Sequence, residues 1–203
     1  MPGRIFFSVG EPSGDIHASN LIRSLHQTDP EIQAIGFGGP CMEQAGCQIR
    51  YSLVDHPVMG LRGAIAAIPR LRGMLARLDQ SFAQEPPAAI VLVDYPGFNW
   101  HVAKLGKKHG IPVIYYVPPQ IWAWASHRVE RMKRYVDHIL CSLPFEEAWY
   151  QARGVSNAIY VGHPFFDDLA LSPVDQTFVD RMKSTRGAGR VALSRSGFRA
   201  ALR

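Results

Sequence analysis

Apolar residues in this chain gather in short unbroken runs, spaced by longer stretches where they recur every three or four positions. The sharpest run is Ala88-Ala89-Ile90-Val91-Leu92-Val93. Six apolar residues without alternation predict a strand covered on both faces, as in a parallel sheet. Comparable patterns predict strands at 4–9, 33–37, 48–51, 112–117, 137–141 and 158–161. Helices are predicted between them, at about 14–27, 39–46, 61–83, 100–109, 126–135 and 145–152. Strands alternating with helices at this spacing predict an α/β fold, a doubly wound parallel sheet. No internal repeat or low-complexity linker interrupts it.

Two stretches complicate that pattern. Within 61–78, Leu61, Ile65, Ile68, Leu71, Leu75 and Leu78 recur at helical spacing, and Pro69 is expected to divide the stretch into two helices. Arg62, Arg70 and Arg77 fall away from the apolar stripe, though Arg72 does not. Two readings stay open: a core-facing helix with a solvated basic face, or a surface helix dipping into an anionic membrane. The second complication is the tail. After Asp167-Asp168-Leu169, a loop with Ser172-Pro173 leads to a helical piece at 175–184 and a strand at 191–193. One strand cannot make a domain. The expected organisation is therefore one domain over 1–170, then a linker and an aberrant start of a second domain over 171–203.

Composition narrows the function. The 203 residues are 47% hydrophobic and 19% charged, as in a globular protein with a sizeable core. A dispersed net charge of +5 favours phosphate-bearing ligands or an anionic membrane surface. No basic block or stacking ladder supports nucleic acid. Cys41, Cys47 and Cys141 are odd in number and lack metal-ligand spacing, which predicts reduced thiols in a cytosolic protein. Met1-Pro2-Gly3-Arg4 runs straight into a strand, so no signal peptide is expected. No apolar stretch nears the roughly 20 residues of a membrane-spanning helix. The eight histidines show no ligand pattern, so neither metal nor cofactor is predicted.

Candidate chemistry collects where strands end. Asp94-Tyr95-Pro96-Gly97-Phe98-Asn99 places a carboxylate just past the 88–93 strand, where open α/β sheets hold ligands. Asp94 reads as catalytic or as a turn residue before Pro96-Gly97. Asn99 suits a cap for a helix beginning at Trp100. The first strand ends in Gly10-Glu11-Pro12-Ser13-Gly14-Asp15. Its glycines allow a tight turn, Ser13 or Asp15 can cap the next helix, and free amides there suit a phosphate or a sugar oxygen. An ordinary strand-to-helix turn explains the same residues. Pro118-Pro119-Gln120-Ile121-Trp122-Ala123-Trp124 reads as a rigid loop whose two tryptophans wall a pocket. His163, in Gly162-His163-Pro164, is either a ligand contact or a packed histidine.

Together these segments resemble the lipid-A-disaccharide synthase family, bacterial glycosyltransferases of the two-domain GT-B fold. The resemblance is carried by Gly10–Asp15, Gly39-Pro40-Cys41-Met42 with Ala45-Gly46-Cys47, Val58-Met59-Gly60 and Val93–Asn99. It continues through Tyr116–Trp124, Leu143-Pro144-Phe145-Glu146 and Val161-Gly162-His163-Pro164. It implies a Rossmann-like amino-terminal domain that transfers acylated glucosamine from its UDP form to 2,3-diacylglucosamine 1-phosphate. The products would be UDP and a β-1,6-linked disaccharide. Asp94 would be the general base. Gly10, Glu11, Ser13, Gly14, Asp15, Asn99, Gln120, Trp122, Trp124 and His163 would line the substrate cleft. Met59, Leu61, Ile65, Ile68, Leu71 and Leu75 would meet acyl chains or membrane. The resemblance also implies no metal and a place on the cytoplasmic face of the inner membrane; a homo-oligomer is compatible with it. Members open a second half near a Leu-Pro-Gly-Ser-Arg turn. Here that place reads Ala192-Leu193-Ser194-Arg195-Ser196-Gly197-Phe198-Arg199, as expected of a truncated or frameshifted product. The rival readings are a non-catalytic module binding acylated sugar phosphate or membrane, and another UDP-sugar enzyme of GT-B type.

Overall fold

The computed structural model of the chain describes residues 3–53, 60–170 and Thr177; for 60–68 and 168–170 it describes the backbone alone. The expected strand at 191–193 aside, every predicted strand lies within the described residues. The helical piece at 175–184 and the strand at 191–193 fall outside them, Thr177 excepted. The chain divides into a unit over Met1–Phe165 and a second over Phe166–Arg203.

Seven strands form the sheet: β1 (Arg4–Val9), β2 (Gln33–Gly38), β3 (Gln48–Ser52), β4 (Ala89–Val93), β5 (Val113–Tyr116), β6 (His138–Cys141) and β7 (Ala158–Tyr160). Their order is β3-β2-β1-β4-β5-β6-β7, and every pairing is parallel. The chain builds outward from β1 in one direction, then returns and builds from β4 in the other. The strand order thus reverses between β1 and β4. Loops leaving the two carboxyl ends there diverge onto opposite faces and open a crevice.

The helices are α1 (Pro12–Thr28), α2 (Pro40–Gln44), α3 (Gly60–Gln84), α4 (Pro96–Lys108), α5 (Ile121–Trp124), α6 (Val129–Tyr135), α7 (Glu146–Gln151) and α8 (Pro164–Ala170). Apolar residues of β1 explain the two layers. Phe6 points into a cluster with Phe37, Met74, Phe82, Leu92 and Val102, on the side of α3 and α4. Phe7 and Val9 point the other way, toward Ala18, Ile22 and Met42 of α1 and α2. Both faces of the central strands are therefore dry, which accounts for the unalternated runs in the sequence. Asp79 of α3 ties that helix to α4, 2.6 Å from both Lys108 Nζ and His109 Nε2.

Three expectations need correction. The helix after β4 begins at Pro96 rather than near 100. Proline at the first helical position lacks only an N–H that would be unpaired anyway. Second, α3 runs unbroken through Pro69; Pro69 is exposed, so water can take the carbonyl that its missing N–H leaves. Third, Ile121–Trp124 is helical rather than loop.

Candidate active site at the strand-order reversal

The turn after β4 is built from unfavourable backbone. Asp94 and Tyr95 are left-handed, with φ of 41° and 46°, a region that side chains bearing Cβ enter only when the surroundings insist. The surroundings do insist. The Asp94 carbonyl accepts hydrogen bonds from Asn99 Nδ2 and from the Tyr115 hydroxyl, each at 2.7 Å. Burial and the nearby Asp94 charge keep the Tyr115 hydroxyl far above its ordinary pKa, so it stays a donor. Asn99 Oδ1 in turn accepts from Ser8 Oγ at 2.7 Å, and Nδ2 also approaches the carbonyls of Ser8 and Val93 at 3.2 Å. One fully buried amide thus fastens the ends of β1 and β4 together and fixes the aspartate between them.

Held this way by its backbone, Asp94 keeps its side chain for other uses. Its carboxyl is half-buried, and burial raises its pKa against the lowering effect of the Tyr95 backbone amide. Glu11 lies across the crevice at the end of β1. Its carboxyl is raised as well, first by burial and then by the charge of Asp94. The Tyr95 hydroxyl is raised by burial and by Glu11. Two carboxylates and a phenol therefore feel one another at the reversal point, in a partly desolvated crevice. Perturbed groups meeting in a cleft are what acid–base chemistry requires.

The glycines of the first turn serve this arrangement. A Cβ on Gly10 would lie 2.3 Å from the Tyr95 ring, and one on Gly14 would press on Val9 and Val93 at 3.0 and 3.4 Å. Gly10 lets the tyrosine lie over the turn; Gly14 lets α1 sit close on β1 and β4. Glu11 occupies the N-cap position of α1 with Pro12 next, and its side chain makes no capping bond. Ser13 is exposed at the same helix start.

Asp15 and Asn99 turn out to be committed inside the fold rather than to the cleft. Asp15 is 2% exposed. Its oxygens accept the backbone amides of Gly39, Cys41 and Met42 at 2.9 to 3.2 Å. It caps α2 rather than its own helix. Asn99 lies within the first turn of α4 and so caps nothing; its amide is consumed by the contacts already described.

The other expected cleft residues divide. After β5, Val117 is left-handed at φ 51°, then Pro118 and Pro119 are buried and Gln120 is exposed. Trp122 is anchored: its Nε1 donates to Glu146 Oε1 at 3.0 Å and its ring meets Phe145 edge-on at 4.9 Å. Trp124 is 71% exposed, with the Arg128 guanidinium 4.9 Å from its ring centroid. One tryptophan is structural and one is presented to solvent. The His163 ring stands edge-on to His17 of α1 at 5.9 Å, and its Nδ1 accepts from the Phe165 amide at 3.2 Å. Leu71 and Leu75 pack partly against the core. Met59, Leu61, Ile65 and Ile68 lie outside the residues whose side chains are described.

Sequence reasoning passed over Ser8, Tyr115 and Glu146. The first two break apolar runs with a hydroxyl, a signal that a buried partner is needed. Glu146 is 1% exposed and also accepts the amides of Ser142 and Leu143 at 3.1 and 3.0 Å. Its sign in the sequence is a glutamate three residues after Leu143, in the turn that follows β6. Among the described residues no group of His, Cys, Asp and Glu could hold a metal ion.

A doubly wound parallel sheet whose cleft opens where the strand order reverses defines a Rossmann-like domain of the GT-B kind. In fold it matches a solved UDP-N-acetylglucosamine 2-epimerase, with a TM-score of 0.63, 13% identity, and coverage of 89% of this chain and 55% of that one. The family is fixed by sequence. The model of the lipid-A-disaccharide synthetase family matches residues 5–186, and the chain belongs to that glycosyltransferase family. The lipid-A-disaccharide synthase of Anaeromyxobacter sp. strain K is 45% identical over 172 residues, covering 85% of this chain and 45% of that protein. That of Trichlorobacter lovleyi is 39% identical over 171 residues, covering 84% and 44%. The chain thus spans about half the length of the curated relatives it matches.

Proposed function

We propose that this chain supplies the acceptor-side half of a lipid-A-disaccharide synthase and that Asp94 is its general base. The single observation that carries the reading is the crevice between β1 and β4. There the Asp94 backbone is clamped in a strained conformation while its half-buried carboxyl stays at the opening. In the transfer, the acceptor's 6-hydroxyl oxygen forms a bond to the donor's anomeric carbon and gives its proton to the Asp94 carboxylate. The bond from that carbon to the diphosphate oxygen breaks, and its electron pair leaves with UDP. Raising the pKa of Asp94 makes it a stronger base once ionised. Fixing its backbone contributes orientation before the reaction begins.

Glu11 sits beside the base. The charge of Asp94 helps hold the Glu11 carboxyl above its ordinary range, so the two acids are coupled. The backbone amides of Ser13 and Gly14, in the first turn of α1, suit a phosphate or sugar oxygen. Gln120 and Trp124, both exposed after β5, offer a polar contact and a stacking face for a sugar ring. The donor is a UDP-sugar, the acceptor a diacylated glucosamine phosphate, and the enzyme works at the cytoplasmic face of the inner membrane. No described helix is long and apolar enough to cross a membrane, so contact with that surface is peripheral in this reading.

The test is UDP release from UDP-diacylglucosamine with diacylglucosamine 1-phosphate as acceptor. The chain is assayed alone and mixed with a polypeptide spanning the remaining half of a curated relative. Turnover that falls by about 10²–10⁴-fold in Asp94→Ala is the expected result. Turnover that survives the substitution would remove Asp94 from the role. No turnover in either setting, with the chain folded, would leave the module that binds acylated sugar phosphate or membrane without catalysis.

A further inference from the structure

A cavity lies under α3, on the β3 side of the sheet. It measures about 380 Å³, and α3 roofs it against β1, β2 and β3. Its lining includes Arg4, at the first position of β1, and Pro87, just before β4. Neither Asp94 nor Glu11 lines it, and at its inner end Phe37 stands 6.0 Å from Phe98 of α4.

The floor of this cavity is apolar and aromatic. Phe6 meets Phe37 and Phe82 edge-to-face, each at 5.2 Å, and Met74 and Leu78 of α3 close the far side. The mouth is cationic. Arg4, Arg50 and Arg77 all line it, against one carboxylate, Glu85. Arg4 holds Glu85 at 2.6 Å, and Arg4 and Arg50 together keep its carboxyl below the ordinary carboxylate range. Arg50 and Arg77 are exposed. A further guanidinium, that of Arg70, lies 4.8 Å from the ring of Tyr51, which itself lines the cavity. Positive charge therefore exceeds negative charge at the rim of a greasy pocket.

We propose that this cavity is a binding site for a single-chain anionic amphiphile, with its tail over the phenylalanine floor and its acidic head at Arg50 and Arg77. The volume is near the lower end of the ~300–1,000 Å³ typical of small-molecule pockets and so suits one chain rather than two. Guanidinium groups at the mouth match a carboxylate or phosphate in shape as well as charge. The site does not depend on the reading of Asp94, because it uses other residues.

Calorimetric titration of the 203-residue chain with sodium dodecanoate and with dodecyl phosphate, both below their micellar concentrations, tests this. Saturable one-to-one binding of either amphiphile supports the site, and the tighter of the two assigns the head group. Dodecyltrimethylammonium binds about tenfold more weakly or worse. The double variant Arg50→Glu with Arg77→Glu weakens the anionic amphiphile by about tenfold or more. Ser81→Trp, an exposed position on the rim, blocks entry without touching the core. Circular dichroism matching the parent shows that each variant is folded. Binding that is absent, indifferent to head-group charge, or unchanged in both the arginine and Ser81→Trp variants overturns the proposal.

Discussion

Asp15 and Asp94 each follow a central strand at the same edge of the sheet, and the fold uses them in opposite ways. At Asp15 the structure grips the side chain: both oxygens are filled by amides of the α2 start, and nothing is left for a ligand. At Asp94 it grips the backbone: the carbonyl takes two hydrogen bonds, φ is forced positive, and the carboxyl is left at the crevice. A residue held by its side chain is spent on architecture. One held by its main chain is free to react. Glu146 belongs with Asp15, its oxygens taken by Trp122, Ser142 and Leu143.

This contrast orders the effects of substitution. Asp15→Ala strips three buried amides of their acceptor and costs about 3 kcal/mol or more. A loss below about 1 kcal/mol in urea unfolding would break the comparison. Gly10→Ala comes next, because its methyl must displace the Tyr95 ring; overpacking of this kind costs about 1–3 kcal/mol. The double change with Tyr95→Ala recovers most of the loss, a coupling that a mutant cycle measures directly. Asn99→Ala removes the fastening between β1 and β4 and costs about 1–2 kcal/mol. Its amide signals near Asp94 should also broaden or shift in nuclear magnetic resonance spectra.

The smallest effect on stability has the opposite sign. Burial raises the Asp94 pKa in the folded state above its unfolded value. Stability is therefore complete below the unfolded pKa and declines as pH rises through the folded one. Asp94→Asn should melt higher than the parent at pH 7, and the advantage should vanish below about pH 4. Asparagine also tolerates left-handed backbone better than most residues, which acts in the same direction. Equal melting temperatures at neutral pH would mean that the carboxyl is not under strain.

Much of this was legible in the chain. All seven strands were placed to within a residue or two, the central ones by apolar runs whose burial on both faces leaves no alternation to misread. The place of Asp94 directly past β4 was legible as well, since the apolar run stops at Val93. Asp15 and Asn99 were harder. Both belong to turns that read as cleft, yet their partners, Gly39–Met42 and Ser8, lie on other elements and become neighbours only when the sheet assembles. The α4 start was misplaced because Tyr95, left-handed at the N-cap, carries no capping signal. The split role of Trp122 and Trp124 depended on Glu146, a buried charge with no periodic pattern to announce it.

The fastening by Asn99 also bears on when the crevice can exist. Its bond to Ser8 joins residues 91 positions apart, whereas Arg4 finds Gln33 within the first βαβ turn of the chain. Closing the longer loop costs more entropy and gives nothing back until β4 pairs with β1. The two sides of the sheet can therefore nucleate separately, each around its own local crossovers. The reactive turn, standing on the seam, is assembled only when they join.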